Sequence, residues 1–303
     1  MADALLELIS RLEDEIQDPD EETFLLYSND IPSQGLGFID SHATVLDLQL
    51  NGRDITIHQS PGVLASSRKG GTTGSVLWKI TPLFAEWLSS PSNMLINTIL
   101  TTSPSSIIEL GCGISPLNAL SLSQKVSRYI LTDQPYVQKL VLQNLAENKI
   151  TAKGGSKSNK KAGDKSPSPS SSHNTAADIH FQVLDWETSQ VTPSLTNSSS
   201  ATSLDAIIAC DCIFNYALIQ PFVQTCADIC KLRQSDNLLE GEQLPPCLCI
   251  VAQQLRNDDV FNSWLVAFKE HFRVWRIPGE MMPAALRPEA GFVVHIGILK
   301  DSF

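Results

Sequence analysis

The sequence predicts an open α/β fold, a mostly parallel sheet with helices on both faces, preceded by a β-hairpin. Three observations carry this. Seven short apolar segments recur along the second two thirds of the chain, at 106–110, 128–133, 180–186, 204–211, 246–254, 272–277 and 292–299. Stretches with helical spacing of apolar residues alternate with them, at 116–126, 135–149, 216–232 and 258–271. The first strand runs into a glycine turn, SIIELGCGISP (106–116), where Gly111 and Gly113 allow a sharp turn and a close approach of backbone to ligand. In such folds ligands bind outside the carboxyl ends of the strands, so the residues at those ends are the ones to read for function.

The hairpin is read from TVLDLQLNGRDITIHQ (44–59), which alternates apolar and polar positions on both sides of Asn51-Gly52. Asn-Gly is the favoured two-residue hairpin turn, because both positions tolerate positive φ. Next comes SSRKGGTTGSVLWKITPLFAEWL, a glycine-rich loop entering a helix with Val76, Leu77, Ile80, Phe84, Trp87 and Leu88 on one side. Residues 1–30 read as an acidic, amphipathic helical segment, 31–75 as an extension holding the hairpin, and 76–303 as the main domain. Two stretches within that domain, 151–178 and 191–203, are rich in Ser, Lys, Gly, Pro and Thr and poor in large apolar side chains, so they are expected to be disordered inserts around the third strand.

At 303 residues, 42% of them hydrophobic, the chain can bury a proper core. No stretch has the apolar length of a membrane span, and the expectation is a soluble, intracellular, cytoplasmic protein, with the nucleus as a second compartment, and a monomer. None of the seven cysteines has the CxxC spacing of a zinc or redox site, so buried reduced thiols and no metal are expected. A net charge of -11 argues against tight nucleic-acid binding and suits a basic partner better.

The strand ends narrow the chemistry. A phosphate loop would need GxxxxGK followed by Ser or Thr, which is absent, and Pro116 occupies the sixth position of a GxGxxG dinucleotide pattern. Glu109, two residues before Gly111, would repel a pyrophosphate but suits a ligand carrying ammonium and sulfonium charges, such as S-adenosyl-L-methionine. Asp133, about 20 residues beyond the turn, stands where an acidic side chain accepts from ribose hydroxyls, a place that a simple helix-capping Asp would fill equally well. At the third strand end, Asp185 can accept from an exocyclic adenine amine and Trp186 offers a flat face to a base, although Trp is also an ordinary core residue. At the fourth, ACDCIFNY brings Asp211 to the same rim, with Phe214 near it if a helical turn begins there.

Taken in order, TGSVLW, ELGCG, the TD of strand two, LDW and DCIF resemble the seven-strand protein lysine methyltransferases of family 16, the DxxY/F group, and within it the fungal ribosomal lysine methyltransferases. The resemblance covers nearly the whole chain apart from the acidic N-terminus and the Ser/Lys insert. It implies a Rossmann-like seven-stranded methyltransferase sheet and transfer from S-adenosyl-L-methionine to a lysine of a protein substrate, a large-subunit ribosomal protein. It further implies that Gly111, Cys112 and Gly113 cradle the methionine part of the cofactor, that Asp133 binds ribose, and that Trp186 packs at adenine. Trp78 would close over the cofactor, Cys210 would contribute at the adenosyl edge, and Asp211 would begin the substrate-facing motif. Two departures stand out: Phe214 where many relatives have Tyr, and Ser115 in place of a possible third glycine. Three rivals share parts of the pattern: a methyltransferase of RNA or a small molecule, a dinucleotide oxidoreductase, and a catalytically silent methyltransferase fold acting as a binding or chaperone protein.

Overall fold

The computed structural model describes residues 2–32, 35–68, 71–100, 105–149, 177–196, 203–240 and 244–302. The N-terminal segment forms α1 (Ala2–Ile9) and α2 (Pro19–Tyr27), the hairpin is β1 (Val45–Leu50) and β2 (Arg53–His58), and α3 (Pro61–Leu64), α4 (Ile80–Ser89) and α5 (Met94–Ile99) lead to the sheet. Then follow β3 (Ser106–Leu110), α6 (Leu117–Leu122), β4 (Arg128–Asp133), α7 (Gln138–Asn148), β5 (Asp178–Val183) and β6 (Ala206–Cys210). The chain continues through α8 (Tyr216–Glu240), β7 (Leu248–Gln254), α9 (Asp258–His271), β8 (Phe272–Arg276) and β9 (Phe292–Leu299).

The seven strands β3 to β9 form one sheet in the order β5-β4-β3-β6-β7-β9-β8. The pairs from β5 to β7 are parallel, while β9 runs antiparallel to both of its neighbours. Alternate residues face opposite layers, as the two-residue period of a strand requires. Ile107, Tyr129, Leu131, Ile208 and Ile250 pack under α4, α6 and α7, whereas Ile108, Ile130, Ile207, Cys249 and Val251 pack under α8 and α9. Burial on both faces explains why these strands read as continuous apolar runs rather than as alternating ones.

Several boundaries differ from the sequence reading. The third strand of the sheet stops at Val183, so Asp185 and Trp186 lie in the turn beyond it. α6 is six residues long, ending at Leu122, and α8 runs eight residues past the expected 232, to Glu240. Val76 and Leu77 precede α4 and are buried there rather than on its side. Of the two Ser-rich inserts, 151–176 and 197–202 lie outside the described residues. Pro193–Thr196, expected to be part of the second insert, forms a short helical turn whose Leu195 is buried against the sheet, since one apolar side chain is enough to anchor a turn beside an open core.

The N-terminal segment covers the sheet's open edge. Glu13 and Ile16 donate their N–H groups to the carbonyls of Arg276 and Val274 on β8, and the segment's carboxylates pair with basic residues of β8 and its neighbour β9: Glu15 with Arg273, Glu22 with Arg276 and buried His295. Capping an edge strand in this way removes a template for unwanted strand pairing.

The hairpin turns through Asn51 and Gly52, both at positive φ (53° and 71°), and docks on α7 through two asparagines one helical turn apart. Asn148 accepts from Thr56 N–H and donates to its carbonyl. Asn144 accepts from His58 N–H (2.8 Å) and donates to the carbonyls of His58 (2.9 Å) and Ile114 (2.8 Å), linking the hairpin to the loop after β3. Asn144 is fully buried. Truncating it strands those backbone groups, so Asn144→Ala is expected to lower the unfolding free energy by at least about 1–3 kcal/mol in urea melts. The exposed Asn97→Ala should change it by less than about 0.5 kcal/mol.

Candidate active site

The central feature is the divergence of the chain between β3 and β6. The two strands are neighbours, but the chain after β3 proceeds to β4 on one side and the chain after β6 to β7 on the other, which leaves a crevice at their carboxyl ends. Each turn leans outward. Cys112 N–H donates to the Thr132 carbonyl of β4 (3.0 Å), and Asp211 N–H to the Ala252 carbonyl of β7 (2.8 Å). Left-handed backbone makes both turns possible: Gly111 has φ 66°, Gly113 φ 57° and Asp211 φ 62°. A Cβ on Gly111 would sit 2.8 Å from Cys212 Sγ and 3.1 Å from the Trp186 ring, and one on Gly113 2.9 Å from the Gly74 carbonyl, so steric packing demands glycine at both positions as well.

The crevice is a cavity of about 350 Å³. All eleven residues singled out in the sequence line it. Glu109 lies on its floor, Gly111, Cys112 and Gly113 on one wall with Asp133, and Cys210, Asp211 and Phe214 on the other. Asp185 and Trp186 close one end, and Trp78 comes over from the segment before α4.

Two carboxyl groups dominate the electrostatics. Glu109 accepts from Tyr129 OH and Asn118 Nδ2, both at 2.8 Å, and is almost fully buried; burial pushes its carboxyl up to about 7 against the opposing pull of those two donors. Asp133 accepts from Gly113 N–H (2.8 Å) and Gln134 N–H (2.6 Å), and burial, with a smaller push from Asp185, raises it to about 6. Each Asp133 oxygen retains acceptor capacity beyond its one backbone donor. Burial likewise raises the thiols of Cys112, Cys210 and Cys212 well above their ordinary range, which keeps them protonated and unreactive.

The aromatic groups are anchored from behind. Trp186 packs edge-on against Phe222 at 5.1 Å, and its buried Nε1 has no hydrogen-bond partner among the described residues. Asp185 accepts from Glu187 N–H (3.0 Å), which fixes the turn that presents Trp186. Trp78 donates from Nε1 to the Thr73 carbonyl (3.1 Å) and lies against Phe38 at 4.6 Å. Phe214 is 43% exposed at the mouth. The helical turn expected to bring it to Asp211 is absent: residues 211–215 are irregular, because Asp211 is left-handed and the helix starts at Tyr216.

Sequence reading missed Arg256. It follows β7 by two residues, and its Nη1 donates to Asp211 Oδ1 (2.9 Å) while Nη2 pairs with Asp211 Oδ2. Its guanidinium also lies over the Trp78 ring at 4.9 Å. Its place just beyond a strand's carboxyl end was the available signal. Tyr136 was missed as well; its hydroxyl accepts from Gly74 N–H (2.9 Å) and its ring lies under Arg68.

A seven-stranded sheet in this order, opening at its switch point onto a cavity walled by a glycine turn and acidic strand ends, is a Rossmann-like methyltransferase fold. The chain is 31% identical over 229 residues to the ribosomal lysine N-methyltransferase 5 of Zygosaccharomyces rouxii, an overlap of 70% of this chain and 69% of that protein. It belongs to the ribosomal lysine N-methyltransferase 5 family. It is also 27% identical over 260 residues to the diaminohydroxyphosphoribosylamino-pyrimidine deaminase of Schizosaccharomyces pombe, matching 86% of this chain but spanning only about half (53%) of that protein's length. No protein-family model matches the chain. The solved CurJ carbon methyltransferase overlaps 73% of this chain and 57% of its own at a TM-score of 0.42 and 14% identity.

The raised carboxyls make the free protein pH-sensitive in a defined direction. Glu109 and Asp133 ionise at higher pH in the folded chain than at their ordinary values of 4.5 and 3.8, so the stability they contribute is complete below those values and lost as pH rises through about 6 to 7. The melting temperature of the free protein is expected to carry this fall, and Glu109→Gln to flatten its upper part, as followed by thermal melts across that range.

Proposed function

We propose that the protein is an S-adenosyl-L-methionine-dependent protein-lysine N-methyltransferase acting on a ribosomal protein of the large subunit. The observation that carries this reading is that the glycine turn, the acidic ends of the first two sheet strands, the Asp185-Trp186 turn and the Asp211–Phe214 segment all face one cavity. Its residues fit an adenosyl cation: two carboxyl groups, held partly protonated by burial, lie where a positive ligand would recover their ionised form, and Trp186, which lines the same cavity, has a buried Nε1 left without a partner among the described residues.

The backbone of Gly111–Gly113 would hold the methionine part above Glu109, Asp133 would accept from ribose hydroxyls, and Trp186 with Asp185 would take the adenine. Trp78 and Cys210 line the same cavity, where Trp78 would cover the cofactor and Cys210 would contribute at its adenosyl edge. The cofactor supplies an activated methyl group: as the amine nitrogen forms the N–C bond, the S–C bond breaks and its electron pair stays on sulfur. The protein's task is alignment and exclusion of water. Asp211 orients the incoming amine as a hydrogen-bond acceptor, and Phe214 walls the entrance without a hydroxyl. Residues 76–303 form the catalytic domain, with 31–75 and 1–30 as its extension and edge cover. The net charge of -11 suits a basic protein substrate met by a monomer in the cytoplasm.

Two names among the relatives bear on this differently. The Zygosaccharomyces protein's name matches the proposed chemistry. The fission yeast name does not transfer on any residues of this chain, whose sequence holds neither a His-x-Glu nor a Cys-x-x-Cys pair of the kind zinc deaminases use.

The reading is tested by incubating the protein with tritiated S-adenosylmethionine and ribosomes from cells lacking the activity, then separating protein from RNA. Label on one large-subunit protein, recovered as methyl-lysine after hydrolysis, is expected; label on RNA, or none, would contradict it. Asp211→Asn, chosen because Asn tolerates positive φ, should lower turnover by roughly 100-fold while leaving cofactor affinity near normal. An unchanged turnover would remove Asp211 from its role.

A further inference from the structure

The Asp211 carboxylate does not face the cavity as a free anion. Its side chain is 2% exposed and clasped by both terminal nitrogens of Arg256, with Gln254 N–H 3.4 Å from Oδ1. Arg256 lies outside the cavity lining, behind Asp211 and Trp78, and is itself held by Gln254 Oε1 (3.0 Å) and by the Trp78 face. A buried carboxylate held in a left-handed backbone and fully countered by a planar guanidinium is a specific arrangement.

The arrangement bears on the hardest step of lysine methylation. A free lysine ammonium titrates near ~10.4, and it has to give one proton to solvent before its nitrogen lone pair can accept a methyl group. A bare carboxylate at the acceptor position would hold the ammonium charged and raise its pKa by about 1–3 units. A carboxylate already paired with Arg256 carries no net charge with its partner, yet Oδ2 of this cavity-lining residue takes a single donor among the described residues, Arg256 Nη2, and keeps a lone pair to orient an N–H. The amine is then aligned without being stabilised as a cation.

We infer that Arg256 is a positioning residue that neutralises Asp211, so that Asp211 directs the substrate amine without raising its pKa, and that it ties this acceptor to the Trp78 cover. This inference rests on the protein-lysine reading above and names the device by which that site handles the substrate's charge.

The test is the pH dependence of kcat, whose acid limb reports the amine in the enzyme–substrate complex. Single-turnover methylation of the acid-extracted large-subunit protein fraction is followed with saturating tritiated S-adenosylmethionine for the wild type, Arg256→Met, Arg256→Lys and Asp211→Asn/Arg256→Met. Arg256→Met should move the acid limb to higher pH by about 1 unit or more, with activity recovering in alkali. Arg256→Lys should keep the limb in place at a lower plateau, because charge is kept and the planar fork lost. The double variant, with no net charge, should return the limb to the wild-type position. Titration calorimetry with S-adenosylhomocysteine and thermal melts serve as readouts independent of turnover, and affinity should stay within about 3-fold in Arg256→Lys.

A uniform loss of rate in Arg256→Met with an unmoved limb would overturn the inference while leaving the lysine reading intact, and so would a limb displaced in Arg256→Lys. If Arg256→Met does not fold, the Arg256→Lys limb alone decides. No methyl-lysine from the wild type would instead overturn the reading on which the inference rests.

Discussion

The site depends on two backbone hydrogen bonds that pull in opposite directions. At the end of β3 the Cys112 N–H reaches out to β4, and at the end of β6 the Asp211 N–H reaches out to β7. Because β3 and β6 are adjacent, these two bonds hold the chain away from the line between them and keep the crevice open. Each requires a positive φ at its turn, which glycine meets on one side and an aspartate on the other. A non-glycine residue in that conformation is tolerated where its surroundings over-determine it, and the Arg256 clasp does so here.

The walls differ in charge. On the β3–β4 side Glu109 is buried and Asp133 half-buried, neither with a cationic partner among the described residues, and burial raises both. On the β6–β7 side Asp211 is paired at once with Arg256. One wall thus carries carboxyls that a cationic ligand would draw into ionisation, and the other a carboxylate that no longer needs one. On the proposed reading, that asymmetry would separate a place for a charged cofactor from a place for an amine that must lose its charge, within a single cavity of about 350 Å³.

The sheet was legible because both faces of its central strands are covered: β3, β6, β7 and β9 are largely apolar and buried nearly throughout, and the turn residues mark where they end. The Asn51-Gly52 turn was equally plain, since local chemistry alone sets it. The site was legible at the glycine turn and at Asp133 and Asp211, where a polar residue directly follows an apolar run. What escaped reading depends on contacts between distant segments. Arg256 is 45 residues from Asp211 in sequence, and only the pairing of β6 with β7 brings them together. The grip of Tyr129 and Asn118 on Glu109 is likewise invisible in the sequence, where Tyr129 reads as one more strand residue. The turn at Pro193–Thr196 was missed because composition averages over a stretch, whereas a single buried Leu195 decides its fate.

The most direct test of the crevice as a site for an adenosyl cation is titration calorimetry of the unmodified protein with S-adenosylmethionine, S-adenosylhomocysteine and NADH at pH values on either side of 7. One site for each adenosyl ligand and none for NADH is expected. S-adenosylmethionine binding should strengthen with pH as Glu109 and Asp133 ionise. Binding of NADH in place of the adenosyl ligands, or an S-adenosylmethionine affinity that weakens as those carboxyls ionise, would contradict that assignment.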